Sequence, residues 1–541
     1  LNSSRSESRG ADAVIAALRQ INAKTLFVMS GNQLMPVFDA CVGMDMRLIH
    51  VRHEAAAVHM ADAWGRLTGE PGIALLPAGP GFLNGLSALY SARMSESPVI
   101  VLSGHAPVSH IGQGAFQEIP QAEMAAALCK ASWTVDKAVD LAPAVLEAAA
   151  IVVSGRPGPV HVALPFDLLN EEIDISLTAP PEIAPSGVDE DFSTVAQAIA
   201  RAERPLILAG PLLAQPHFKS LRHALGEATG VPVVVMESPR GVNDPAQGAF
   251  AEIFDASDLV ILLGRRADYL LRFGEVLADD VRVICIDPEE EELERSGKNL
   301  ADRLILSIKA DVSIAAERLI RSISNKENAN AEWRKRVQEA IAYRPQEWMD
   351  LPDDPDTTAH PVIAARLIRE VLANDPEAIL VIDGGEFGQW AQACIDAPCR
   401  IINGPSGAIG AGLPFAIAAR LAKPDSTVVV IMGDGTAGFC FAEFDTAVRN
   451  NIAMVAIIGN DAKWNAEYQI QLRDYGPERL IGCELGNARY DKAAEGLGCH
   501  GEFAPTTGAI SACLKRAINS NKPACVNILI DGKPAPVIRH P

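Results

Sequence analysis

Gly433-Asp434-Gly435-Thr436 follows an apolar, strand-like run from Thr427 to Met432, and Asn460-Asp461 follows a second such run from Ala453 to Gly459. Both runs read as buried strands of an open α/β sheet, whose ligands sit in the crevice outside the carboxyl ends of parallel strands. Asp434 and Asp461 are thereby delivered to one crevice beside glycine backbone. Two carboxylates converging on one point need a cation, and a hard divalent metal bridging a diphosphate suits such oxygen donors.

A chain of 541 residues is too long for one core, so roughly two to four domains are expected. Apolar residues make up 48% and aromatic residues only 5%, which suits Ala/Val/Ile/Leu-rich α/β layers. Strand-like runs alternating with helical periodicity predict three doubly wound parallel-sheet domains, over 1–170, 192–324 and 359–541. The central one shows four strand-like runs: Pro205–Ala209, Val231–Val235, Leu259–Gly264 and Val281–Ile286. Glu171–Asp191, with Pro180, Pro181 and Pro185, reads as a linker. A charged helix from Asn328 to Tyr343 and the Pro/Asp-rich Leu351–Pro361 read as a second one.

The formal charge of −21 and pI near 5.0 argue against a nucleic-acid partner, which rewards basic faces. No stretch of apolar residues is long enough for a membrane span, so no membrane partner is expected. The ten cysteines show no CxxC pair, a pattern expected of reduced thiols in a cytoplasmic protein. Leu1-Asn2-Ser3-Ser4-Arg5 has no apolar core of the kind a secretory signal carries, and none is expected. No GxGxxG opens a helix with an acid placed after it, which disfavours a nicotinamide dehydrogenase.

Three further motifs precede the metal-type fingerprint. Arg52-His53-Glu54 stands between a strand-like Leu48–Val51 and a helical Ala55–Leu67, and Glu54 there has two readings. One is a helix-start carboxylate favoured by the helix dipole; the other is a buried catalytic acid whose proton relay activates a bound cofactor. Gly79-Pro80-Gly81, with Asn84, forms a turn after Ile73–Leu76. Gly104-His105-Ala106-Pro107 and then Ile111–Glu118 follow the strand-like Val99–Ser103.

In order and spacing, these segments resemble the thiamin-diphosphate enzymes of the acetohydroxyacid synthase type, which include benzaldehyde lyase. The resemblance is carried by RHEAAAVHMADAWGR from Arg52, GHAPVSHIGQGAFQE from Gly104, the GDG…ND pair and PACVNILI from Pro523, and it spans nearly the whole chain. It implies a pyrimidine-binding, a central and a diphosphate-binding domain. It also implies a homo-oligomer whose active sites lie at the subunit interface, with thiamin diphosphate and Mg²⁺ as cofactors and a small-molecule carbonyl substrate. Matched residue by residue, Glu54 becomes the proton partner of the cofactor's aminopyrimidine. Gly31, Pro80 and Asn84 lie around the cofactor, and Gly385, Glu386 and Phe387 cradle its diphosphate, with backbone contacts expected at the last two. Gly407 and Ile409 belong to the segment that bends it, though Ile409 also reads as an ordinary core residue. Asp434, Asp461 and the Lys463 carbonyl bind the metal beside Gly435, Thr436, Trp464 and Asn465. Gln117, Gln33 and His59 are the further catalytic candidates, with a supporting role equally open for His59. Phe116, Gln117, Trp464, Ala466 and Ile470 face the substrate.

The departures narrow the expected activity. Asp461 replaces the family's usual asparagine, which keeps an oxygen ligand and adds a charge. Gln33 stands where benzaldehyde lyase has histidine, and Ile470 where the synthases carry a tryptophan. Lys130 matches a lysine near the synthases' substrate entrance, with a solvated surface role as its alternative; His105 and His110 also read as loop residues. The central segment lacks the longer glycine-rich stretch that holds FAD, so no flavin is expected. The resemblance therefore implies a C–C bond lyase or carboligase, either a 2-keto acid decarboxylase or an enzyme forming or cleaving acyloins. An FAD-containing synthase or oxidase, a 2-hydroxyacyl-CoA lyase and a non-catalytic cofactor-binding module are the alternatives.

Overall fold

The computed structural model describes residues 8–323, 330–373 and 375–540. The chain forms two compact units, Leu1–Ala184 with Ile417–Ala422, and Pro185–Ala416 with Lys423–Pro541. The first holds six strands, β1 (Thr25–Val28), β2 (Arg47–His50), β3 (Gly72–Leu76), β4 (Val99–His105), β5 (Ala131–Thr134) and β6 (Val160–Pro165). All pair in parallel, in the order β2-β1-β3-β4-β6-β5. β4 is buried along its whole length because helices cover both faces of such a sheet. Each fully buried Ile100, Val101 and Leu102 contributes about 1.5–3 kcal/mol of apolar transfer. The helix Glu54–Thr68 lies so close to β3 that a Cβ at Gly72 would overlap the Ala61 carbonyl oxygen at 2.0 Å. Its N-terminus is capped by His53, whose Nδ1 accepts from the Ala55 N–H, and it stops at Gly69 with φ +75°.

The second unit contains two sheets. The central one comprises β7 (Pro205–Ala209), β8 (Val233–Val235), β9 (Leu259–Leu263), β10 (Arg282–Asp287) and β11 (Leu304–Lys309), ordered β11-β10-β9-β7-β8. Separate apolar clusters cover its two faces. The other comprises β12 (Ile379–Ile382), β13 (Cys399–Ile402), β14 (Val428–Gly433), β15 (Val455–Asn460), β16 (His500–Ala504) and β17 (Ala524–Leu529). Its order, β13-β12-β14-β15-β17-β16, repeats that of the first sheet strand for strand.

Two expectations are corrected here. The central sheet has five strands rather than four: β11 is an edge strand whose exposed Ile305, Ser307-side polarity and Lys309 disguise it. The charged helix, described over Ala331–Ala342, is not a free linker. Trp333, Val337 and Ala340 are buried in a central-domain cluster, and the Trp333 indole N–H donates to the Pro205 carbonyl at 2.8 Å. Its expected start at Asn328, and Leu1–Arg5, lie outside the described residues. All ten cysteines are free thiols, and among the described residues no helix is long and apolar enough to cross a membrane.

Candidate cofactor site

In the sheet β13-β12-β14-β15-β17-β16 the chain reverses its winding direction between β12 and β14, and ligand crevices form at such switch points. A cavity of about 140 Å³ opens there, at the carboxyl ends of β12, β14 and β15. Gly385, with φ +87°, turns the chain from β12 into the helix Glu386–Cys394, and Gly385, Glu386 and Phe387 at this helix start line the crevice. Asp434 opens the helix after β14, and Asp461 follows β15 directly. Both line the cavity with Gly433, Gly435, Thr436 and Ile409. Lys463, Trp464, Asn465 and Ala466 close its far side.

The electrostatics are those of a site awaiting positive charge. Desolvation lifts Asp434 to about 6 and Asp461 to about 7, and for Asp461 the neighbouring Asp434 charge adds to the rise. Asp434 Oδ2 is buried with no hydrogen-bond partner among the described residues. Asp461 Oδ1 accepts from the Lys463 N–H at 3.2 Å. A Cβ at Gly435 would strike the Trp464 ring at 2.6 Å, so only glycine lets this wall approach. Phe387 lines the cavity too, its ring packed against Gly459 and joined to the domain core.

In the first unit the candidates group around the equivalent switch point, between β1 and β3. The Asn84 amide Nδ2 donates to Glu54 Oε2 at 2.9 Å. Gly31 packs on Pro77, where a Cβ would sit 2.4 Å from the proline Cβ, and Gly81 lies against Glu54 Oε1. Gln33 Nε2 donates to Gln117 Oε1 at 3.0 Å. Gln117 is held at φ +60°, a backbone strain that non-glycine residues tolerate mainly where surrounding structure or function imposes it.

The N-terminal TPP binding domain of the thiamine pyrophosphate enzymes matches residues 8–124, the central domain 192–319 and the C-terminal TPP binding domain 383–528. The acetolactate synthase large subunit IlvG of Mycobacterium tuberculosis is 32% identical over 529 residues, covering 95% of this chain and 94% of its own. The chain belongs to the thiamine pyrophosphate enzymes. The 2-hydroxyacyl-CoA lyase 2 of Homo sapiens is 29% identical, over 91% of this chain and 84% of its own, and that of Bos taurus 30%, over 92% and 85%. The three domains and these synthase and lyase relatives together support a thiamin-diphosphate-dependent lyase or carboligase.

The residues present fit the cofactor. An unpartnered buried carboxylate oxygen, a second carboxylate beside it and a helix N-terminus suit a metal-bridged diphosphate. Ile409 projects beside Gly384, where a Cβ would meet its Cγ2 at 2.4 Å, so the wedge is seated by a glycine. Gly407, with φ +67°, is in the loop leading to it rather than in the cavity lining.

Several expectations need correcting. Glu54 is half-buried rather than buried in its own unit. The Glu386 side chain is held in an ion pair with Arg240 at 3.2 Å, a contact the sequence did not show. Ile470, on the helix Asn465–Tyr475, is 47% exposed and does not line the cavity; Phe116 is 73% exposed on its loop. The Lys130 amine is captured by the carbonyls of Ile151 and Ser154 at the end of a helix, so it is not solvated. His105 is buried, and His110 is exposed. His59 is buried, and desolvation depresses it to about 4, so it stays neutral near pH 7 and serves packing better than proton transfer.

Sequence reasoning missed two positioning residues, Asp383 and Gln121, and a tail-anchoring contact of Asn465. Asp383 is buried and its carboxylate accepts from the N–H groups of Gly384, Gly410 and Gly412, pinning the Ile409 loop; burial still raises it to about 6. Gln121 accepts from the Gly79 N–H at 3.0 Å and donates to Ser103 Oγ, which continues to His161. The Asn465 amide donates to the Lys533 carbonyl and anchors the C-terminal tail. An aspartate directly after a buried strand was a visible signal for Asp383, whereas nothing local marked Gln121. Asp383→Ala strands three N–H groups and is expected to cost about 3 kcal/mol, while Asp383→Asn, retaining one acceptor, costs about 1 kcal/mol. Urea unfolding of the two variants checks the ranking.

Proposed function

We propose that the protein is a thiamin-diphosphate- and Mg²⁺-dependent C–C lyase or carboligase of 2-keto acids and 2-hydroxy ketones. It works as a cytoplasmic homo-oligomer with active sites between subunits. The observation that carries this reading is the cavity holding Asp434 and Asp461 beside Ile409 and the helix at Glu386, with one buried carboxylate oxygen left for a ligand. The half-exposed Glu54 supports an interface, since a proton partner for a cofactor works best where water is excluded.

Asp434, Asp461 and the Lys463 carbonyl would hold Mg²⁺. When bound, the cofactor supplies the electron sink for breaking a bond next to a carbonyl. Glu54 would hold a proton for the cofactor's aminopyrimidine, and Asn84 orients the carboxylate through its 2.9 Å hydrogen bond. With Gln33 donating to Gln117 Oε1, the Gln117 amide N–H groups remain to donate to a substrate carbonyl or alkoxide. Trp464 and Ala466 would border the substrate, and Ile409 would pack against the cofactor.

The 2-hydroxyacyl-CoA lyases among the relatives motivate a second reading, cleavage of a 2-hydroxyacyl thioester. At the central sheet's own switch point, however, Arg265 is paired with Asp268, and Arg266 with Glu289 and Glu292. Those charges are already neutralised, which favours the first reading over a nucleotide-bearing substrate. Protein reconstituted with thiamin diphosphate and Mg²⁺ should release CO₂ or aldehyde from members of a panel of 2-keto acids and acyloins. Turnover confined to 2-hydroxyacyl-CoA would replace the first reading with the second, and a flavin absorption band in purified protein would overturn the expectation of no flavin.

The raised carboxylates give a pH signature. Their folded values lie above the ordinary carboxylate range, so the protonated forms favour folding. That contribution is complete below about pH 4 and is lost as pH rises through about 6 to 7. A bound cation removes the penalty. Stabilisation by thiamin diphosphate with Mg²⁺ is therefore expected to be larger at pH 8 than at pH 5.5, and thermal melting with and without the pair measures it.

A further inference from the structure

A separate cavity of about 430 Å³ lies where the helix Pro361–Leu372, the end of Glu386–Cys394 and residues 341–349 meet. The helix Glu386–Cys394 begins at the cofactor cavity and ends at this one, which places them about 13 Å apart along its axis. Arg344, Arg366 and Arg369 all line it, and none forms an ion pair with a carboxylate among the described residues. Arg344 directs its N–H groups to the carbonyls of Ala246, Ile341, Tyr343 and Ala393, and Arg366 donates to that of Trp348. Arg369 is exposed. Arg400 also borders the cavity but is committed to Glu237 at 2.8 Å. Asp396 is the one carboxylate among the lining residues.

The decisive group is Gln392. It is 2% exposed, lines the cavity, and neither its amide nitrogen nor its amide oxygen has a hydrogen-bond partner among the described residues. Buried amides are almost always satisfied, so one with neither atom used points to a ligand. Three guanidiniums offset by one carboxylate leave two positive charges, matching a dianion, and guanidinium forks fit phosphate oxygens. Trp348, Met349 and Val362 supply an apolar wall beside them.

We propose that this cavity binds a phosphate monoester. Arg366 and Arg369 take the phosphate oxygens, Gln392 Nε2 donates a further hydrogen bond, and the ester's organic group lies against Trp348. Titration calorimetry with phenyl phosphate on the full chain loaded with thiamin diphosphate and Mg²⁺ tests it, with benzyl alcohol and inorganic phosphate as comparisons. One phenyl phosphate per chain is expected, with none of the alcohol bound. Affinity should fall roughly tenfold or more in Arg366→Gln, Arg369→Gln and Gln392→Leu, while turnover of the carbonyl substrate is unchanged. Arg369 is exposed, so its variant folds whether or not the site exists. Equal affinity in wild type and variants would overturn the proposal. So would a higher melting temperature for Gln392→Leu with phenyl phosphate binding intact, which would mark the amide as a solvent-filled defect. Inorganic phosphate binding as tightly as the ester would overturn the ester assignment.

Discussion

Glu54→Gln is expected to fold normally, bind thiamin diphosphate with Mg²⁺, and lose about 10²- to 10⁴-fold in turnover, the range that positioned proton transfer usually supplies. The side chain starts the helix Glu54–Thr68 without capping it, since His53 holds the cap, and it is only half-buried. An isosteric amide there keeps the contact with Asn84, so stability should change by less than about 1 kcal/mol. The loss should appear in kcat with little change in apparent cofactor affinity, because the metal end of the site is untouched. Steady-state kinetics and a melting curve on the same preparation separate the two effects. Wild-type turnover in this variant would remove Glu54 from the chemistry and leave the plain helix-start reading.

Asp434→Ala should act at the opposite end and in a different observable. Asp434 is 3% exposed with one oxygen unpartnered, and its charge raises Asp461. Removing it relieves repulsion between two buried carboxylates, so the cofactor-free protein should be as stable as the wild type or more so. The same change deletes a metal ligand, and cofactor affinity should fall by two orders of magnitude or more, with activity lost at ordinary cofactor concentrations. Fluorescence titration of thiamin diphosphate with and without Mg²⁺ checks this. A variant that is markedly less stable but binds the cofactor normally would mean that Asp434 is structural.

What the sequence revealed, and what it hid, follows from the range of the interactions involved. β14 and β15, with Asp434 and Asp461 at their ends, were legible because buried parallel strands are continuous apolar runs and their carboxyl ends carry function. β11 was hidden because an edge strand buries only part of one face. The helix Ala331–Ala342 looked like a linker because three buried residues on one stripe decide its fate while charged ones dominate its composition. At the site, the glycines and carboxylates were visible as spacing. The pairing of Gln33 with Gln117, 84 positions apart, and the Arg240–Glu386 ion pair depend on distant segments meeting, which no local pattern records. Ile470 was assigned by sequence spacing, yet it is exposed and absent from the cavity lining.

A crystal structure of the protein with thiamin diphosphate and Mg²⁺ tests the central claim most directly. The expected result is a metal ion held by Asp434, Asp461 and diphosphate oxygens, a cofactor bent over Ile409, and its aminopyrimidine hydrogen-bonded to Glu54 of a neighbouring subunit. Diphosphate bound elsewhere, or an aminopyrimidine with no carboxylate within hydrogen-bonding reach, would contradict it.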